Sequence, residues 1–237
     1  PQRDERHGWL GDRATGCWGE SFVFDNALLY RKWLQDIEES QREDGVISAV
    51  SPRFWTIYAG DVTWPSVYIL AAEMLYRHYG DATAIVKHYD SMKRWVEYIY
   101  KNSMKDGLVV RDEWGDWCMP PEAPELIHSQ DPMRKTDGAI LGSTTFYGLL
   151  YKMIDFARIS GHSEDIDNYK THAEALKKAY NKRFFNYETA QYGNNSVTGN
   201  LLSLRYGLVP DGYEKRVFSN VVEKTEKDCK GHVSTGV

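Results

Sequence analysis

Seven of the first twelve residues carry groups that can move protons or hold a polyol: Arg3, Asp4, Glu5, Arg6, His7, Trp9 and Asp12. A carboxylic acid can protonate a leaving oxygen, and a guanidinium can grip two hydroxyls at once. An indole face stacks on the C–H face of a sugar. Gly8 and Gly11 flank Trp9 and let the backbone turn tightly there. The same residues also suit a solvated loop whose charges pair off. Two further segments share this character. Ala59–Trp64 sets Asp61 and Trp64 at a helix entrance, where Asp61 also fits as a helix-start acid. Glu113–Trp117 packs two acids, including Asp116, and two indoles, including Trp117, into five residues. A structural tryptophan cluster is the alternative reading there.

Other chemistries find little support. The sequence has no H-E-x-x-H, no phosphate-binding glycine loop and no strand–elbow–helix setting for a serine nucleophile. His78, His88, His162 and His172 lie on or beside expected helices and read as surface or capping residues. Cys17, Cys118 and Cys229 are far apart and odd in number, so they read as isolated buried thiols rather than disulfides or zinc ligands. No metal and no cofactor is expected. A net charge of −5 gives no sign of the basic face that nucleic acid or an anionic membrane requires. No apolar run reaches the ~20 residues of a membrane span. Asn194-Asn195-Ser196 is a formal glycosylation sequon, and one such match in a chain of this length carries little meaning.

The elements that must carry these segments are helices joined by turns. Phe22, Asn26, Leu29, Trp33 and Ile37 recur at helical spacing ahead of Gly45, after an opening loop. Thr63 reads as an N-cap and Pro65 as a first-turn residue of a helix running to Tyr79. Ile85, Tyr89, Met92, Val96 and Ile99 form one stripe over 84–102. Short β-propensity segments follow at Leu108-Val109-Val110. Helices are expected over 143–160, 164–185, 198–206 and 212–229. A buried helix is followed by an amphipathic one three times, with short turns inside each pair and long loops between pairs. This is an array of helical hairpins. The expected fold is all-α, an (α/α)6 toroid present only in part, with residues 1–237 forming part of one catalytic domain. A full ring needs roughly 300 residues at ~15 per helix and ~10 per loop. About seven helices are expected in this sequence, and both ends read as cuts in a longer polypeptide. Aromatic residues make up 14% of the chain, which suits either a large core or a sugar-lined pocket.

The segment Pro1-Gln2-Arg3-Asp4-Glu5-Arg6-His7-Gly8-Trp9-Leu10-Gly11-Asp12 closely resembles the hallmark motif of α-L-rhamnosidases of glycoside hydrolase family 78. Agreement continues at Gly60-Asp61 through Trp64-Pro65 and at Gly115-Asp116-Trp117. The resemblance implies an (α/α)6 barrel that hydrolyses terminal α-L-rhamnosides with inversion. It makes Glu5 the general acid and gives Arg3 and Asp12 hydrogen bonds to rhamnose hydroxyls. Trp9, Trp64 and Trp117 become an aromatic wall around the sugar; Asp4, His7, Asp61 and Asp116 receive no firm role. The family's Asp-Cys ahead of the proline, its general-base glutamate and a late histidine all fall outside this sequence. His7 stands where leucine is commoner and Arg13 where a small residue is commoner, which affects the pocket rim.

The implied partner is a rhamnose-containing oligosaccharide, polysaccharide or glycoside, and periplasmic or secreted location is typical of such enzymes. Two other functions stay open on the residues alone. One is an (α/α)6 glycosidase of different sugar specificity. The other is a non-catalytic carbohydrate-binding helical protein.

Overall fold

The computed structural model describes residues 4–53, 57–119 and 134–236. The described residues form eight α-helices and two minimal β-hairpins. They divide into two compact units, residues 1–104 with 149–173, and residues 105–148 with 174–237.

The first unit begins with α1 (Leu10–Val23) and α2 (Ala27–Ser40), where the sequence suggested an opening loop and a single helix from about residue 22. α1 packs on α3 (Val67–Tyr79), and α2 packs on α3 and on α4 (Thr83–Asn102). The break at Phe24–Asn26 resets the helical phase. Tyr30, Leu34 and Ile37 are therefore the buried positions of α2, while Phe22 and Leu29, expected on the inner stripe, are exposed. α3 is apolar on most faces and fully buried from Val67 to Met74 except at Leu70. It starts after Ser66, whose hydroxyl donates to the Thr63 carbonyl, so Thr63 does not cap it. Its end is a left-handed glycine: Gly80 has φ 68°, and the Asp81 N–H returns to the Leu75 carbonyl. Asp81 then caps Thr83 and accepts from Arg31 Nε at 2.6 Å, tying α2 to the α3–α4 turn. All five stripe residues of α4 lie in the core. This unit also holds the end of α5 (Gly138–Ser160), a 3-10 turn at Ser163–Asp165 and the start of α6 (Ile166–Phe184).

Two buried titratable groups in this unit, Glu73 and His88, face ionisable side chains. Glu73 on α3 accepts from Arg77 at 2.8 Å and also pairs with Lys152. His88 is 2% exposed and faces Glu38 at 3.0 Å, so it is a core residue rather than the surface or capping residue its position on a helix suggested.

In the second unit, Asp106 and Gly107 both take positive φ and turn the chain between β1 (Met104–Lys105) and β2 (Leu108–Val109). β3 (Phe185–Asn186) pairs antiparallel with β4 (Gln191–Tyr192), with Phe185 opposite Tyr192. α7 (Val197–Arg205) is capped by Ser196, whose hydroxyl accepts from the Gly199 N–H. It packs on α8 (Glu214–Lys227), where Val197, Val221 and Cys229 form a small apolar cluster. Cys118, in the turn that follows Trp117, is exposed and so is not the buried thiol the sequence suggested, whereas Cys17 and Cys229 are buried. Among the described residues, no helix is long and apolar enough to cross a membrane.

Candidate active site

Backbone hydrogen bonds hold the segment that precedes α1. The Ser51 N–H donates to the Gly8 carbonyl and the Leu10 N–H to the Ala49 carbonyl, each at 2.9 Å. A Cβ on Gly8 would lie 2.1 Å from the Ser51 oxygen, so only glycine lets these strands of chain close. Trp9 completes an isolated antiparallel bridge with Val50. The result is a fixed rim directly before the first helix.

On that rim the Trp9 indole N–H donates to Glu5 Oε1 at 2.6 Å. Glu5 is exposed and Trp9 half-buried, so the carboxyl faces solvent with one oxygen already oriented. His7 is buried and sits edge-on to the Trp9 ring, with centroids 6.2 Å apart. Asp12 follows on the first turn of α1 and is half-buried. Trp64 is buried beneath the same turn: a Cβ on Gly11 would lie 2.2 Å from Trp64 Cε2. Asp61 is buried three residues before it. Asp4 is exposed beside Glu5, and Arg3 lies outside the described residues.

A cavity of about 530 Å³ opens beside this rim, lined in part by Arg6, Trp9, Asp12, Arg13 and Trp33. That size accommodates a sugar. One wall is an ordered polar relay: Arg13 pairs with Glu20, and Glu20 accepts from the Tyr30 hydroxyl at 2.7 Å. Burial pushes the Tyr30 phenol well above its ordinary range, so it stays a neutral donor. Trp33 was absent from the sequence-based site because it falls on the helical stripe of α2. Its indole donates to the Ser51 carbonyl at 2.8 Å and its ring faces the cavity. No residue type or spacing distinguishes it from a core tryptophan.

Trp117 and Asp116 belong to the second unit. Trp117 is 39% exposed, with its ring centroid 5.4 Å from that of Trp114. Asp116 is buried and accepts from Thr136 Oγ1 at 2.6 Å, from Thr198 Oγ1 at 2.7 Å and from the Gly236 N–H at 2.7 Å.

Among the described residues, one group of metal-ligating types occurs elsewhere in the first unit: His162, Glu164 and Asp165, with ligand atoms within 4.8 Å of one another. Asp165 already accepts from Lys93 Nζ at 2.6 Å and from the Tyr89 hydroxyl at 2.9 Å, and the His162 ring stacks on Tyr89. A cation there would have to displace the Lys93 ammonium.

A family model described as the bacterial alpha-L-rhamnosidase 6 hairpin glycosidase domain matches residues 1–237. A curated alpha-L-rhamnosidase of Formosa agariphila is 27% identical over the whole chain, which spans 25% of that protein. The solved structure of the alpha-L-rhamnosidase from Dictyoglumus thermophilum superposes with a TM-score of 0.89 at 33% identity, covering all of this chain and 26% of that one. The Streptomyces avermitilis alpha-L-rhamnosidase complexed with L-rhamnose shares the fold with a TM-score of 0.86 at 23% identity, covering all of this chain and 21% of that one. The chain thus spans about a quarter of the length of the relatives it matches.

Proposed function

The chain belongs to the family of bacterial α-L-rhamnosidase six-hairpin glycosidase domains, and from that membership we propose that the protein of which it forms a domain releases terminal α-L-rhamnose from rhamnosides by an inverting acid/base mechanism. Residues 1–237 supply the acid half of that machinery, as part of one catalytic domain. The observation that carries the reading is the hydrogen bond from Trp9 to Glu5. Because Oε1 accepts from the indole, Oε2 is left to carry the proton toward the glycosidic oxygen. As that C–O bond breaks, the leaving oxygen takes the Oε2 proton and positive charge develops on the sugar ring. A water activated by a second carboxylate, contributed from outside this chain, attacks the opposite face. Inverting enzymes hold the two carboxyls ~6.5–9.5 Å apart to admit that water.

By the same resemblance, Arg3 and Asp12 hydrogen-bond rhamnose hydroxyls, and Trp9 and Trp117 each offer an aromatic face to the sugar; Trp64, expected in that wall, is buried against Gly11 and supports the first turn of α1 from beneath. The cavity beside Trp9 and Asp12 supports this reading for the first unit, since indole faces and a carboxylate converge there. Asp4, His7 and Asp61 are given no direct part in the chemistry. The substrate class is a rhamnose-containing glycoside, oligosaccharide or polysaccharide.

The test is Glu5→Gln in the intact enzyme. We expect kcat for a rhamnoside with a poor leaving group to fall roughly 10²–10⁴-fold, the usual worth of a general acid. An aryl rhamnoside with a good leaving group should lose less. Near-normal hydrolysis of the poor-leaving-group substrate would remove Glu5 from this role. A panel of nitrophenyl glycosides separates rhamnose from other sugars, and binding without turnover would identify a lectin-like protein instead.

A further inference from the structure

We propose that Asp116 is the positioning residue for Trp117: its buried carboxylate locks the turn that presents the indole. This rests on the reading of Trp117 as a ring that contacts the sugar.

Trp117 lies between two residues with positive φ, Asp116 at 55° and Cys118 at 58°. Neither is glycine, so the turn is held against its own preference and needs external restraint. The restraint converges on the residue before the indole. Thr198, in the first turn of α7, donates to Oδ1, and Thr136 donates to Oδ2. The Gly236 N–H also donates to Oδ1, from 120 residues away in sequence. Gly236 clamps the backbone as well: a Cβ there would lie 2.3 Å from the Trp117 carbonyl oxygen and 2.4 Å from the Asp116 carbonyl carbon. The peptide joining the two residues is thus gripped through both its side chain and its main chain.

The donors themselves are ordered in one direction. The Thr136 hydroxyl gives its proton to Asp116, so it accepts from Ser196 across the 2.9 Å between their oxygens. Ser196 in turn accepts from the Gly199 N–H at the start of α7. A chain of donors therefore runs from a helix N-terminus to a carboxylate, and a negative charge at its end suits every member. An amide at position 116 would present N–H groups to Thr136 or to Thr198 and Gly236. The chain would have to reverse, and the Ser196 proton would lose its acceptor.

Trp117 is partly exposed while Asp116 is buried, so the carboxylate cannot reach a substrate in this arrangement. Its influence on the sugar runs through the ring. The expected consequence of Asp116→Asn in the intact enzyme is a KM for an aryl α-L-rhamnoside raised ~10-fold, with kcat within ~3-fold, the pattern of lost uniform binding. Thr198→Val, which removes one donor and keeps the charge, should move KM the same way by less. The decisive measurement is a double-mutant cycle. In a Trp117→Ala background, Asp116→Asn should change KM by less than ~2-fold, because the ring it positions is gone. An equal KM effect in both backgrounds would overturn the proposal.

A second readout does not depend on catalysis. In protein carrying 5-fluorotryptophan, the Trp117 resonance is assigned by its loss in Trp117→Phe. It should shift and broaden in Asp116→Asn, and an unchanged resonance overturns the proposal even in a fully active enzyme. If the intact protein neither binds nor cleaves rhamnosides, the assigned function fails while the fluorine spectrum still decides the hold of Asp116 on Trp117.

Discussion

The indole N–H of Trp9 reaches Glu5 Oε1 at 2.6 Å across four residues of a backbone-pinned rim. The two side chains therefore act together, one fixing which oxygen of the other is available. Trp9→Phe keeps an aromatic face and deletes the donor. In the intact enzyme we expect kcat/KM for a rhamnoside with a poor leaving group to fall ~10–100-fold, the scale of a misplaced catalytic group. A nitrophenyl rhamnoside should lose less, because its leaving group needs little protonation. Equal losses on both substrates would reduce Trp9 to a stacking surface.

Three glycines of the same region should respond differently to alanine. A Cβ on Gly8 meets the Ser51 carbonyl oxygen at 2.1 Å, and one on Gly11 meets the Trp64 ring at 2.2 Å. Each substitution should cost about 1–3 kcal/mol or more by overpacking. Gly19, in the middle of α1, meets nothing within 4 Å. Gly19→Ala should stabilise by about 0.5–1 kcal/mol through helix propensity alone. Urea midpoints at constant slope measure all three.

Stability should decline toward acid pH through one buried histidine, His88, and one half-buried histidine, His172. Burial holds His88 below the ordinary histidine range, with the facing Glu38 carboxylate opposing it, and burial does the same to His172 against Tyr100. The unfolded chain binds these protons more readily, so their contribution is fully present above about 6.5 and is lost as pH falls through that value toward the folded ones. The unfolding temperature should drop between pH 7.5 and pH 5, and His88→Gln with His172→Gln should flatten the curve. A double variant with the full slope would assign the effect to carboxylates.

Thiol reactivity should sort the cysteines by placement. Burial raises the Cys17 thiol to about 11, and Cys229 is also buried, whereas Cys118 is exposed. An aromatic disulfide reagent at pH 8 should titrate one thiol quickly in the native chain and three in denaturant. Rapid native labelling of Cys17 would show that α1 opens readily from α3.

The hairpin pattern was legible wherever a helix buries one face. The stripe Ile85, Tyr89, Met92, Val96 and Ile99 was readable because period and burial coincide on α4. α1 escaped notice because Gly11, Gly16 and Gly19 lower its intrinsic propensity by ~1 kcal/mol each relative to alanine. Packing on α3 overrides that, and Gly11 is required for the ring of Trp64 to lie against the helix. His88 looked like a surface residue because its partner, Glu38, is 50 positions away. In the site, Glu5 and Trp9 could be proposed from composition and motif, but the bond joining them is a matter of coordinates. Trp33 could not be proposed, since its cavity-facing edge is invisible in a helical stripe. The partners of Asp116 lie 20, 82 and 120 residues along the chain, beyond any local pattern.

That last separation bears on how the protein is made. The main-chain proton that Gly236 contributes to Asp116 does not exist until the ribosome has added more than a hundred residues after Trp117. Contacts so distant in sequence form late. During most of synthesis the 114–118 turn must therefore stand without its final restraint, two indoles open to water and to chaperones. A nascent chain stalled short of residue 236 would carry the aromatic loop in an unfinished state, however complete its earlier helices.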